Sequence, residues 1–341
     1  MMNHDQARQR LADLWARGCD FLGCRHAIMC GAMSWVSERN LVSAISNAGG
    51  FGVLAGGSMD PARLDEEIRE TSLLTNKPFG VNLITMHPQL AELVDVCVAR
   101  KVSHVVFAGG VPSGDMIARA KNGGARVMCF APVLAIGKRL VRAGADALVI
   151  EGSEAGGHIG PVSTSVLAQE ILPQIRDVPV FVAGGIGRGE AVVSYLEMGA
   201  SGVQLGTRFV VATESVAHPR FKQAFIRAAA REALPTVQVD ARFPVIPVRA
   251  LANEGSRKYP DFQREIIAKV DSGEMTPHEG QIAIEKYWVG SLRRAVIEGD
   301  VEQGSLMAGQ SVGMVTREQP AAGIIGELVE QAAAALAARA G

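Results

Sequence analysis

Ala147-Leu-Val-Ile-Glu-Gly-Ser-Glu-Ala-Gly-Gly-His-Ile-Gly160 decides how the rest of the chain is read. An unbroken apolar run, 147–150, opens it, as expected of a strand covered on both faces. A loop of small residues follows, and then a helix that Ser163 or Thr164 can cap. That is one strand–loop–helix unit. Moving outward, the same unit recurs, with strand-like runs at 26–33, 51–55, 79–84, 104–108, 126–130, 180–183 and 202–205. Helix punctuation separates them. Ser37 can cap a helix running to Asn47, which Ala48-Gly49-Gly50 ends. Asp60-Pro61 opens the next, and Pro88, Pro112 and Pro132 occupy similar opening positions. Eight units predict a closed (β/α)8 barrel. A doubly wound open sheet is the alternative, but the strand count and the lack of a reversal signal favour closure.

The alternation stops beyond Glu214. Residues 1–25 read as an amphipathic lead-in helix, 26–215 as the barrel and 216–304 as a helical cap inserted after the eighth strand. Residues 305–341 form a return segment and a C-terminal helix over 322–340. Within the cap, Phe243-Pro-Val-Ile-Pro247 and Tyr259-Pro260 interrupt the pattern, while 258–270 has helical spacing.

Composition excludes whole classes of function. With 34 Lys+Arg against 35 Asp+Glu, no excess of positive charge exists to neutralise phosphates, so no nucleic-acid partner is expected. Apolar residues make up 48% of the chain, which excludes intrinsic disorder. The five cysteines, Cys19, Cys24, Cys30, Cys97 and Cys129, are odd in number and contain no C-x-x-C pair. They read as reduced thiols, with no metal site. The N-terminus lacks the apolar core of a signal peptide, and no stretch looks long enough to span a bilayer. A cytoplasmic protein with no membrane partner is expected.

Three glycine-rich turns carry the candidate chemistry. In the loop 151–160, His158 would project from a side-chain-poor turn at the C-terminal end of a strand, where barrels build active sites. Imidazole exchanges a proton near neutral pH, so His158 is the candidate acid/base. Val182-Ala-Gly-Gly-Ile-Gly-Arg-Gly189 and Gln204-Leu-Gly-Thr-Arg208 follow the seventh and eighth strands. Backbone N–H groups at Gly184, Gly185 and Gly206, with the Thr207 hydroxyl, can hold a phosphate there. The glycine spacing of 184–189 departs from a dinucleotide fingerprint. Gly31-Ala-Met-Ser34 and Asn82 could lie against a flat ring, Asn82 offering both donor and acceptor. Ser34, Trp35, Met307 and Gln310 are candidate pocket walls. His87, His104, His218 and His278 lack a companion pattern and read as structural or surface residues. A barrel that binds a phosphate ligand without catalysis remains a separate reading.

Gly31-Ala-Met-Ser-Trp-Val36, Ser46-Asn-Ala-Gly-Gly-Phe-Gly52, Lys77-Pro-Phe-Gly-Val-Asn82, Glu154-Ala-Gly-Gly-His158, Ala183-Gly-Gly-Ile186 and Gln204-Leu-Gly-Thr-Arg-Phe209 occur in order over about residues 26–320. Together they resemble the nitronate monooxygenase (2-nitropropane dioxygenase) family of FMN-dependent barrels, which includes the enoyl-acyl-carrier-protein reductase II branch. The resemblance implies FMN held by Ala32, Met33, Asn82, Glu151, Gly156 and Gly157, with its phosphate on Gly184, Gly185, Gly206 and Thr207. It implies His158 as catalytic residue. The first functional expectation is oxidation of a small nitronate with O2. The alternative is an enoyl-acyl-carrier-protein reductase using NAD(P)H, with acyl carrier protein as partner. A homodimer is expected from the prevalence of such assemblies.

Overall fold

The computed structural model describes residues 2–339. The expected ends of the chain at Met1, Ala340 and Gly341 lie outside the described residues. Eight parallel strands form one sheet: β1 (Ile28–Cys30), β2 (Val53–Ala55), β3 (Gly80–Ile84), β4 (His104–Ala108), β5 (Arg126–Phe130), β6 (Ala147–Glu151), β8 (Val180–Ala183) and β9 (Gly202–Leu205). A further two-residue strand, β7 (Gly157–His158), lies in the loop after β6. β9 returns to β1 with Gln204 opposite Met29, and a bridge from Met29 to Phe51 joins the β1 and β2 ends. The sheet therefore closes into the expected (β/α)8 barrel. Its strands are buried along almost their whole length, which is why they read as apolar runs without alternation.

The helices between them are α2 (Arg39–Asn47), α3 (Pro61–Leu74), α4 (Leu90–Ala99), α5 (Gly114–Asn122), α6 (Leu134–Arg142), α7 (Thr164–Ile171), α8 (Gly189–Glu197) and the short α9 (Thr207–Val210). Asp60 caps α3 by accepting from Arg63 N at 2.8 Å, with Pro61 in the first turn. Pro88, Pro112 and Pro132 instead sit one residue ahead of the caps Gln89, Ser113 and Val133, in loops where a missing N–H costs nothing. The first strand is shorter than the run 26–33, because residues 31–33 turn outward into the barrel mouth. Ser37 does not cap α2, a task that falls to Glu38. Its hydroxyl donates to Gly31 O (2.8 Å) and accepts from Met33 N (3.0 Å), fixing that turn.

Helix α1 (His4–Leu22) plugs the N-terminal end of the barrel. Phe21 O accepts from His104 Nε2 at 2.9 Å, so His104 is a buried structural residue. At the other end the region after α9 holds α10 (Pro219–Arg227), α11 (Glu254–Asp271), α12 (Pro277–Lys286) and α13 (Ser291–Arg293). Phe243, Tyr259, Ile266 and Ile284 form a second small core there. Pro260 does not break α11. It lies inside the helix, just beyond a first turn that Asn253 and Ser256 anchor through reciprocal bonds of 2.9 and 2.8 Å. The cap is also not purely helical. β10 (Ala233–Pro235) and β11 (Val248–Leu251) pair antiparallel, and β11 pairs in turn with β7.

The last helix, α14 (Ala321–Arg339), corrects one expectation. Its 19 residues are long and apolar enough to cross a membrane by length and composition. Leu328, Ala332 and Leu336 are nonetheless buried, and the helix packs on α8, α1 and α2 along the barrel wall.

Candidate active site

All three glycine turns and His158 lie at one end of the barrel, the C-terminal end of its strands. The turns touch one another. A Cβ on Gly185 would lie 3.0 Å from Glu154 Cβ, joining the first two turns, and one on Gly206 would lie 3.4 Å from Met33 Sδ in the loop after β1. Gly184 and Gly185 have φ of 96° and 72°, left-handed values that glycine adopts without penalty. Among the described residues the backbone N–H groups of Gly184, Gly185 and Gly206 find no acceptor. Unpaired backbone donors on tight turns are a feature of anion-binding concavities. The buried Thr207 hydroxyl accepts from Gly309 N (2.9 Å), leaving its own proton free to donate. These donors fit the phosphate end of a flavin mononucleotide.

The loop from 151 to 158 is fixed from three sides. Glu154 takes over the capping that the sequence suggests for Ser163: its Oε2 accepts from Thr164 N (2.8 Å) and lies 2.9 Å from Thr164 Oγ1. Thr164 Oγ1 also lies 3.1 Å from Gly184 O, tying this loop to the next glycine turn. The return segment closes in from above, with Gln310 N donating to Glu154 O at 2.9 Å. Gly156 is pressed so close to it that a Cβ would lie 2.6 Å from Gly309 N. Met307 sits beside Gly157, its Sδ 3.7 Å from where a Cβ would be.

His158 pairs with Val248 and Gly157 with Arg249 in the β7–β11 ladder. The Arg249 guanidinium donates from Nε to Ser153 O (2.8 Å) and from Nη1 to Ala233 O (2.5 Å), so one buried cation joins the His158 loop to the cap. His158 is exposed at the mouth and makes no side-chain hydrogen bond among the described residues. The cap and loop still strip part of its hydration and hold its pKa below the ordinary imidazole value. Glu151, at the end of β6, has no partner among the described residues, and burial pushes its pKa up to about 8. Such a carboxyl is largely protonated at neutral pH and can donate a hydrogen bond.

The remaining candidates surround this centre less tightly. Asn82 is buried in β3 and donates from Nδ2 to Val106 O (3.2 Å), with its carbonyl oxygen uncommitted. Ala32 and Ser34 are half-buried in the first loop, and Gln310 is half-buried at the start of a short turn. Trp35 is exposed, with a left-handed φ of 68° and the Arg293 guanidinium 5.8 Å from its ring centroid. Sequence reasoning missed Glu154, Arg249 and the backbone at 308–309. Glu154 stood inside a quoted motif without a role. Arg249 has no local pattern that distinguishes it from a surface arginine.

The sequence model of the family described as nitronate monooxygenase matches residues 17–331. The chain belongs to the nitronate monooxygenase family. One relative is the (3aS,4S,5R,7aS)-5-hydroxy-7a-methyl-1-oxo-octahydro-1H-indene-4-carboxyl-CoA dehydrogenase of Mycobacterium tuberculosis, 32% identical over 74% of this chain and 68% of that protein. Another is the nitronate monooxygenase of Paraburkholderia phytofirmans, 30% identical over 68% of this chain and 75% of its own. Among solved structures, FabK from Thermotoga maritima superposes with a TM-score of 0.86 at 36% identity, covering 95% of this chain and 98% of that one. The nitronate monooxygenase family membership and these relatives make the protein an oxidoreductase.

Proposed function

We propose that the protein is an FMN-dependent oxidoreductase of nitronate monooxygenase type that oxidises a small nitronate with O2. The observation that carries the proposal is His158, whose side chain has no hydrogen-bond partner among the described residues, at the same end of the barrel as glycine turns whose N–H groups find no acceptor among them. When bound, FMN would supply a two-electron acceptor that can pass electrons on to O2. Gly184, Gly185, Gly206 and Thr207 would hold its phosphate. Ala32, Met33, Asn82, Gly156 and Gly157 would flank its ring, and the neutral Glu151 carboxyl would donate to it. Neutral His158 would orient the nitronate anion through its ring N–H or, where the neutral nitroalkane is bound, take its α-proton to leave the nitronate paired with the protonated ring. The lowered pKa keeps the ring neutral, and so basic, at neutral pH. Ser34, Trp35, Met307 and Gln310 would wall the substrate space.

A second reading has its own support. The similarity to FabK spans nearly the whole chain, and it favours an enoyl-acyl-carrier-protein reductase that takes hydride from NAD(P)H. His158 would then deliver a proton rather than take one, and acyl carrier protein would be a partner.

Anaerobic mixing of the FMN-loaded protein with NADH, NADPH or propyl-2-nitronate separates the readings. Bleaching of the flavin by the nitronate supports the first. Rapid bleaching by a pyridine nucleotide, with none by nitronate, overturns it in favour of the second. A protein with no flavin absorbance even after FMN addition would be a binding barrel without this chemistry.

A further inference from the structure

Far from the mouth, two cysteines meet at the corner where α1 turns into β1. Gly23 N and Cys24 N both donate to Cys19 O, at 2.8 and 3.2 Å, and Gly23 has a left-handed φ of 70°. This is the turn in which a residue's N–H reaches back five positions over the helix end. The two residues so joined usually make an apolar side-chain contact. In this chain both of them are cysteine. A disulfide needs Cα atoms about 4.4–6.8 Å apart, and a backbone bond between the two residues themselves favours so close an approach.

The surroundings differ from those of the other three thiols. Cys30, Cys97 and Cys129 are buried, and burial pushes each up to about 12. Cys19 and Cys24 are both half-buried. The neighbouring Cys24 lowers the Cys19 pKa, against burial and the nearby Asp20 carboxylate, while Cys19 and burial raise that of Cys24. Each thiol donates to a backbone carbonyl, Cys24 Sγ to His26 O at 3.1 Å and Cys19 Sγ to Arg25 O at 3.4 Å. Cys24 lines a cleft of about 300 Å³ shared with Arg25, Asn47 and Lys77, which gives small solutes a route to its sulfur. Two half-buried thiols side by side at a helix end, one of them lining a cleft together with Arg25 and Lys77, are placed for oxidation.

We propose that Cys19 and Cys24 form a reversible dithiol–disulfide site at the base of the barrel, with a hydroperoxide as oxidant. The Cys19 thiolate attacks the peroxide, the O–O bond breaks, and the leaving hydroxide takes a proton to become water. Cys24, losing its proton, then attacks the Cys19 sulfenic sulfur; the S–O bond breaks and a second water departs. Two thiols and one hydrogen peroxide thus become one disulfide and two waters. The product would staple the end of α1 to the start of β1.

Trypsin cuts after Arg17 and Arg25, so both cysteines fall in one peptide, Gly18-Cys-Asp-Phe-Leu-Gly-Cys-Arg25. The reduced full-length protein is treated with hydrogen peroxide, unfolded in an alkylating agent and digested. The expected peptide is unalkylated and two hydrogen masses lighter than the dithiol, and a reductant restores it, while Cys30, Cys97 and Cys129 are recovered alkylated. Recovery of the peptide with both cysteines alkylated overturns the proposal, as does a Cys19 sulfinate beside an alkylated Cys24. In Cys24→Ser, Cys19 is expected to trap a sulfenic-acid probe. In Cys19→Ser, Cys24 is expected to react about tenfold more slowly. Equal rates in the two variants would remove the nucleophile's role from Cys19.

Discussion

Val248 stands directly across the antiparallel ladder from His158, so the imidazole is positioned by the cap as well as by the barrel. A residue held only by a glycine loop would sample many positions. One paired to a strand does not. His158→Gln keeps the ladder and removes the proposed base. Turnover should fall by about 10²–10⁴-fold, with flavin content unchanged in the visible spectrum. In the wild type, activity should persist to pH values below the ordinary imidazole pKa, since burial lowers that of His158 and keeps the base unprotonated there. Unchanged turnover in the variant would remove the acid/base role.

Arg249 acts on the same loop from the opposite side of the ladder. Its bonds to Ser153 O and Ala233 O are charge-assisted and buried. Arg249→Met leaves two carbonyls without donors and should cost roughly 2–4 kcal/mol of stability. The thermal midpoint should drop, and kcat should fall more than KM rises, because the loop carrying His158 loosens. Arg249→Lys reaches one carbonyl at a time and should rescue only part of both effects. Equal activity in the Met variant would show that the loop is held adequately by its other contacts.

The contrast between these two residues shows what the sequence could reveal. The strands at 104–108, 126–130, 180–183 and 202–205 were readable to the residue, because each apolar run ends at glycine, proline, alanine or a polar turn. His158 and the glycines at 184, 185 and 206 were readable because a turn after a buried strand has few other uses for them. β7 was not readable, since two residues make no periodic pattern and their partner strand lies far along the chain. Arg249 inherits that problem. Ser37 misled for another reason: a serine before a helix is normally a cap, but its hydroxyl found a stronger demand in the buried Gly31 carbonyl.

Glu151 gives a prediction about stability rather than rate. Its folded pKa of about 8 lies above the unfolded carboxyl value, so the native state binds the proton more tightly. Any stability this confers is complete below the unfolded pKa and is lost as pH rises through the folded one. The flavin-free protein should therefore weaken between about pH 5 and 9 by a few kcal/mol, because each tenfold difference in proton affinity between the folded and unfolded chain is worth about 1.4 kcal/mol. Glu151→Gln should flatten that slope. Urea unfolding of both proteins at the two pH values measures it, and identical slopes would show that the carboxyl is not protonated in the native state.

Gly156 offers the sharpest steric test. A methyl there would lie 2.6 Å from Gly309 N and 2.7 Å from Ala308 C, both backbone atoms that cannot swing aside. The return segment would have to move outward, carrying Gly309 away from the Thr207 hydroxyl that now accepts its N–H. Gly156→Ala should thus disturb two glycine turns at once, destabilising the fold by about 1–3 kcal/mol and loosening FMN. Gly160→Ala is the control, since nothing lies within 4 Å of its added carbon. Equilibrium dialysis against FMN should show weaker binding in the first variant and unchanged binding in the second. Equal affinities would mean that the phosphate cradle does not depend on contact between the return segment and the catalytic loop.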